Sequence, residues 1–388
     1  MSWPEARTTA AAVAEALPPH LVPLPEAVGS VLAETVASRV DLPPFDTAAM
    51  DGWAVLGSGP WTVVGESRAG QNPLGLAEGQ AVRISTGAVV PVGAAVLRTE
   101  HGSEVDGVLR YDGPPLPPGH DVRRRGEEIR THETVLVAGT VLTPPAVGLA
   151  AAAGHDQLAV IPPPRVAVAV LGDELNTTGV PTGGAVRDAL APQLPAWVSA
   201  MGGLPVDLRH VADRLDATRE ALDVDADLVL TTGGTARGPA DHVRAAVADL
   251  GGTWHVDGVQ VRPGHPMKLG RLPGGRLLVA LPGNPLAAVS GLLTLAAPAL
   301  GALEGRTLPV LRRVRLSTAV DAHPTSHRLI PGRWHAEGVE PSTRRGPAML
   351  TGVSTADLMV VVPPGTGTLQ PGNEVEVMAL PWTSPPGR

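Results

Sequence analysis

Three apolar runs constrain the chain most: RVAVAV (165–170), DLVL (227–230) and RLLVAL (276–281). Each is continuously apolar rather than alternating, and each leads into a polar turn containing Gly or Pro. Between them lie stretches that read as helix: LDATREALDV (215–224), GPADHVRAAVADLGG (238–252) and LAAVSGLLTLAAPAL (286–300), with GAVRDALAPQLPAWVSAMGG (184–203) as a proline-interrupted candidate. A strand apolar on both faces must be covered on both faces, so this alternation specifies a parallel sheet between two helical layers.

The flanking texture differs. Residues 5–17 read as a short helix, and VPLPEAVGSVLAETVASRV (22–40) is expected to continue in the same style. WTVVGE, QAVRIST, AAVLRTE and GVLRYDG are short β-type runs reaching to about residue 120. DVRRRGEEIR and the Ala-rich VLTPPAVGLAAAAG then return to turns and helix, so the β module reads as an insertion. Beyond residue 303, VLRRVRLSTAV, MLTGVSTADLMVVVPPG and NEVEVMAL form a second β module. The expected division is therefore a discontinuous helical region (1–43 and 121–161), an inserted β-rich module (44–120), a three-layer α/β/α domain (162–303) and a C-terminal β domain (304–388).

Composition narrows the function. A formal net charge of −8 and 2% aromatic residues oppose nucleic acid as the main partner, which needs a cationic face or stacking platforms. With no cysteine there is no disulfide, iron–sulfur cluster or thiolate zinc site. The N-terminal MSWPEARTTAAAVAEAL lacks a basic region followed by an apolar core, and residues 285–300 fall short of the ~20 residues a membrane span needs, so a cytoplasmic protein is expected.

Ligands of open α/β sheets sit beyond the carboxyl ends of the strands. Three such ends carry distinctive turns: LGDEL with Gly172, Asp173 and Glu174; TTGGTARGPAD with Gly233, Gly234, Thr235 and Asp241; and LPGNP with Pro282, Gly283, Asn284 and Pro285. Paired glycines let backbone approach an anion, helix-opening N–H groups favour negative charge, and one or two carboxylates suffice for a hard cation. Singly these are ordinary βα turns. VRPGHPMKLG (261–270) follows a probable strand and brings Arg262, His265, Pro266 and Lys268, the only lysine of the chain, toward the same rim. FDTAAMDGWAV and RISTGAVVP hold Asp51 and Thr86, which local context reads as turn residues. HPTSH (323–327) carries two His four apart, with Pro324 opposing a helical metal pair. No P-loop, H-E-x-x-H or G-x-S-x-G motif is present.

Taken in order, LPPFDTAAMDGWAV, RISTGAVVPVGAAVLRTE, DVRRRGEEI, RVAVAVLGDEL, DLVLTTGGTARGPADHV, VRPGHPMKLG and LPGNPLAAV resemble the molybdopterin molybdenumtransferases, the MoeA and gephyrin E-domain family, over essentially the full chain. The resemblance implies a homodimer of four-part subunits with a molybdopterin-binding α/β domain and a C-terminal β barrel. It implies Mg²⁺-dependent insertion of molybdate into adenylylated molybdopterin with release of AMP. It implies that Asp51, Thr86, Glu174 and Asp241 are catalytic, Glu174 and Asp241 being metal ligands, and that Asp213 is a further acidic position. The binding positions would be Gly172, Asp173, Gly233, Gly234, Thr235, Arg262, His265, Pro266, Lys268, Pro282, Gly283, Asn284, Pro285 and Arg333. The chain departs from the family pattern where Lys-Pro-Gly-Lys-Pro becomes Arg262-Pro263-Gly264-His265-Pro266. A serine is also replaced by Ala236 and another by Pro347. Two other readings stay open: an adenylyltransferase of the MogA type, suggested by TTGGT, and a non-catalytic molybdopterin-binding carrier or scaffold.

Overall fold

A computed structural model describes residues 1–72, 75–234 and 242–383, so Thr235, Ala236 and Asp241 lie outside the described residues. The chain divides into two compact units, one of residues 20–160 and one of residues 1–19 with 161–388.

The larger unit contains the strands β1 (Arg165–Leu171), β2 (Leu204–Val211), β3 (Leu228–Thr232), β4 (Thr253–Asp257), β5 (Val261–Arg262), β6 (Lys268–Arg271), β7 (Leu277–Leu281), β8 (Arg312–Arg315), β9 (His327–His335), β10 (Gly338–Pro341), β11 (Leu358–Val362) and β12 (Glu374–Ala379). Its helices include α1 (Trp3–Ala12), α2 (Leu215–Leu222), α3 (His242–Asp249) and α4 (Pro285–Leu303). The α/β sheet runs β2-β1-β3-β7-β6-β4. Its first four strands are parallel, and only β6 is reversed, running antiparallel to both of its neighbours, β7 and β4.

All residues of β3 and β7 are buried, as their unbroken apolar runs require. Val166, Val168, Val170, Leu230 and Val279 face one layer, with α1, α4 and Leu194–Ala200. Ala169, Leu171, Val229, Leu278 and Ala280 face the other, with α2 and α3. Helix α4 is the most apolar segment and is mostly buried within the first layer. A π-helical turn at Leu292–Ala296 interrupts it. Trp3 of α1 donates from Nε1 to Thr294 Oγ1 of α4 at 3.0 Å.

A second sheet runs β5-β9-β11-β12-β8, with β10 on the side of β9. Strand β5 is the hinge point of this unit: it follows β4 of the first sheet but pairs parallel with β9 of the second.

In the smaller unit a six-stranded sheet has the order Ala95–Arg98, Gly52–Val55, Gln80–Ile84, Trp61–Ser67, Val108–Arg110, Ser103–Val105. The RRR run is not simply solvated, since Arg124 pairs with Asp46 at 2.8 Å and Arg125 with Asp41.

Two helix expectations fail. Residues 22–40 hold only a 3-10 turn, Leu24–Glu26, and the short strands Val31–Leu32 and Val36–Ala37, following His20–Pro23. Pro23, Pro25 and Gly29 break the local helix, and the backbone pairs with Gln157–Ile161 and Thr134–Leu136 instead. In 184–203 only Leu194–Ala200 is helical. Pro192 blocks helix propagation from the preceding turn, and Val186–Arg187 forms a short strand with Leu175–Asn176.

Helix α4 ends at Glu304, whose buried carboxylate pairs with Arg306 against Gly202. A Cβ at Gly202 would stand 2.5 Å from that carboxylate, so only glycine fits. Burial raises the Glu304 carboxyl from 4.5 to about 7, with Arg306 opposing the shift. The folded state therefore binds more protons than the unfolded state between these values, and this contribution to stability is lost as pH rises through about 7. Glu304→Gln is expected to flatten the decline in stability across that window. Denaturant unfolding at about pH 5 and about pH 8 checks it, and an unchanged slope excludes the assignment.

Candidate active site

The turns after β1, β2, β3 and β7 meet at one rim of the sheet. Gly233 N–H donates to Leu281 O at 3.1 Å, which ties the turn after β3 to the end of β7. A side chain at Gly233, where φ is +82°, would place its Cβ 2.6 Å from Leu171 O, so the close approach of β1 and β3 requires glycine there. Gly283 lies against the same turn. The Glu174 carboxylate folds back over Gly172, and Asp173 accepts the Asp213 N–H at 3.2 Å. Burial raises the Asp213 carboxyl above its ordinary value, with the charges of Asp173 and Glu174 adding to it and His242 opposing. The structure thus gathers Asp173, Glu174 and Asp213.

Among the described residues no three acidic or histidine side chains form a ready metal cluster. Mg²⁺ needs only one or two carboxylates when waters and substrate phosphates complete its shell. The crowding of negative charge registered by Asp213 fits a divalent cation at this rim.

Beside the rim lies a cavity of about 500 Å³ whose lining includes Arg262, His265, Pro266, Pro282, Asn284, His323, Arg328 and Arg345 and, among the described residues, no Asp or Glu. His265 Nδ1 bonds Val259 O at 2.7 Å. A neutral ring must donate from Nδ1 there, so its Nε2 presents a lone pair and not a donor. The first free amides of α4 are also spoken for: Leu286 and Ala287 N–H donate to Pro347 O at 2.9 and 3.2 Å. The expected anion-favouring helix start beyond Pro285 is therefore capped by a carbonyl of the C-terminal domain.

Two expected binding residues lie elsewhere. Arg333 is exposed and donates from Nε to Thr355 O at 2.5 Å; it does not line this cavity. Lys268 is 3% exposed, with its ammonium 5.7 Å from the centre of the Trp254 ring. Its strand neighbours Met267 and Leu269 belong to the α4 layer, while Trp254 and its register partner Ala280 belong to the opposite one. Alternation thus turns Lys268 away from Arg262 and His265. Arg328 and Arg345 went unnoticed in the sequence, since RR in STRRGP and a lone Arg in a β-run carry no local signal. Only the pairing of β5 with β9 exposes them.

In the smaller unit, Thr86 donates from both its backbone N–H (2.6 Å) and its hydroxyl (2.9 Å) to the same oxygen of Asp51. These bonds, the backbone one first, hold the Asp51 carboxyl below the usual range. Replacing Thr86 by Val removes the hydroxyl bond alone, so the Asp51 midpoint should move part of the way back up. A carboxyl ¹³C titration reads this directly, and an unmoved midpoint would assign the whole effect to the amide.

Comparison with known proteins identifies the family. Residues 1–154 match the MoeA N-terminal region (domain I and II), 167–302 a probable molybdopterin binding domain, and 313–380 the MoeA C-terminal region (domain IV). The chain is 35% identical over 333 residues to molybdopterin molybdenumtransferase 2 of Mycobacterium tuberculosis, covering 80% of this chain and 81% of that protein. It is 31% identical to the molybdopterin molybdenumtransferase of a Nostoc species, covering 93% and 89%. The crystal structure of a molybdopterin biosynthesis MoeA protein from Pyrococcus horikoshii superposes with a TM-score of 0.82 at 27% identity, covering 98% of this chain and 99% of that one. The chain therefore belongs to the MoeA family of molybdopterin molybdenumtransferases.

Proposed function

We propose that this transferase of molybdenum cofactor biosynthesis inserts molybdate into adenylylated molybdopterin and releases AMP. The observation that carries the reading is the juxtaposition, around the Pro282–Gly283–Asn284 turn, of a cationic cavity lined by no carboxylate among the described residues with a rim of glycine turns and acids. Molybdate is a dianion and its acceptor carries phosphate, so the two halves offer complementary chemistry to the two substrates.

The glycine turns bring backbone N–H groups close to the phosphates of the substrate. Arg262, at the mouth of β5, holds the oxyanion by charge-assisted hydrogen bonds. Glu174, with Asp241 as the resemblance implies, would hold Mg²⁺, which when bound polarises a phosphate bridge. Asp51, kept ionised by Thr86, is a standing acceptor for a donor group of the substrate. A four-part subunit working as a cytoplasmic homodimer completes the reading.

Arg262→Ala is expected to raise the KM for molybdate on the order of tenfold or more, with a smaller effect on that for the pterin substrate. Purified protein given molybdopterin-AMP, Mg²⁺ and molybdate tests both points. AMP release with cofactor formation supports the transferase; tight binding without turnover identifies a carrier, and production of molybdopterin-AMP from ATP an adenylyltransferase. Equal loss of both substrates in Arg262→Ala would make that residue structural.

A further inference from the structure

The parallel ladder between β1 and β2 ends at Leu171 opposite Val211, so the turns that carry Asp173, Glu174 and Asp213 run on beyond it. Burial, and then the charges of Asp173 and Glu174, raise the Asp213 carboxyl, which records how closely these acids are held. Like charges so placed drive the two turns apart. One tie between them is the Asp213 N–H, which donates to Asp173 Oδ1 at 3.2 Å. A second tie runs through Asp188 and His210.

Asp188 is 5% exposed and uses both of its oxygens. Oδ1 accepts the N–H groups of Leu190 (2.8 Å) and Ala191 (3.1 Å), which closes the turn before the helix Leu194–Ala200. Oδ2 bonds His210 Nε2 at 2.8 Å. Burial pushes the Asp188 carboxyl up, but the His210 bond and the two amides outweigh it and hold the carboxyl below its ordinary value. An ionised carboxylate only accepts, so His210 donates from Nε2. The backbone at Asp188 is itself fastened to the turn after β1. Val186 N–H donates to Glu174 O at 2.8 Å, and Asp188 N–H to Asn176 O at 3.0 Å. His210 is the last residue but one of β2, the edge strand of the sheet. A circuit therefore closes, from Glu174 and Asn176 to Asp188, across to His210, along the chain to Asp213, and back to Asp173.

Local folding does not require the crossing bond of this circuit. Oδ1 alone completes the turn at Leu190, and an exposed position on an edge strand tolerates most side chains. What the bond from Oδ2 to Nε2 adds is a connection between the two turns that bear the acids. We propose that His210 and Asp188 are positioning residues of the transferase, a brace that sets the separation of the Glu174 and Asp213 carboxylates. This rests on the functional reading above, in which Glu174 would hold Mg²⁺, since groups that orient a metal ligand from behind tune its affinity.

The test compares full-length His210→Leu, which lacks the donor, with His210→Gln, which keeps an N–H of similar reach. His210→Ala repeats the comparison with a smaller side chain, and thermal melts verify that each variant folds. In the metal-free protein, a carboxyl ¹³C titration is expected to show the Asp213 midpoint moved down toward the ordinary carboxylate range in His210→Leu and His210→Ala, and unmoved in His210→Gln. Under turnover, the Mg²⁺ concentration for half-maximal AMP release should rise about tenfold in His210→Leu and return to near wild type in His210→Gln. The KM for molybdate should stay within about twofold of wild type in both. An unmoved Asp213 midpoint in both variants that lack the donor overturns the brace. A moved midpoint with an unchanged Mg²⁺ requirement overturns the positioning role, as do equal losses in the Mg²⁺ and molybdate parameters. Absence of AMP release from the wild-type protein overturns the transferase and leaves the brace to stand or fall on Asp213.

Discussion

The backbone of β1, β3 and β7 has no recourse to water. Both faces of these strands are covered by apolar layers, so every N–H and C=O must be satisfied within the parallel ladder. The ladder can open only at its ends, and there the chain must leave the sheet in turns tight enough to start the next helix. That is why Gly172 and Gly233 stand where they do, and why the turns and acids collect along one edge. The site is a consequence of the sheet's burial rather than an addition to it.

The second determinant is the departure of β5 from the first sheet to the second. By pairing with β9 it brings Arg262 and Arg328 into register and sets the RPGHP loop against the C-terminal domain. The same approach lets Pro347 O cap the first amides of α4. The amides at the start of α4 therefore face a carbonyl, and the positive charge beside them is carried by side chains of the cavity lining.

Much of this was legible before folding. Continuous apolar runs announce a doubly covered sheet because only burial on both faces makes such runs tolerable, and the turns that follow them marked Glu174, Gly233 and Asn284. Residues 22–40 misled because their Ala and Val spacing suits a helix, while the pairing that decides the matter comes from residues 134–161, far away in the sequence. Asp51 and Thr86 looked like turn residues, and their two-bond clasp follows only from the antiparallel pairing of Gly52–Val55 with Gln80–Ile84. Arg333 shows the reverse case. Its place in the sequence suggested the cavity, but the guanidinium is engaged with Thr355 O, while Arg328, five residues earlier on the same strand, faces the cavity.

Lys268 shows how far a composition argument reaches. A lone ammonium three residues beyond His265 suggests that it compensates for the arginine and histidine standing at 262 and 265. Strand periodicity decides otherwise: Met267 and Leu269 point into the α4 layer, so Lys268 points into the layer of Trp254, on the far side of the sheet from the cavity. The other arginines that line the cavity with Arg262 are Arg328 of β9 and Arg345. Proximity in sequence sets which side chains can be neighbours along a strand; the parity of the strand and the pairing of β5 decide which of them meet.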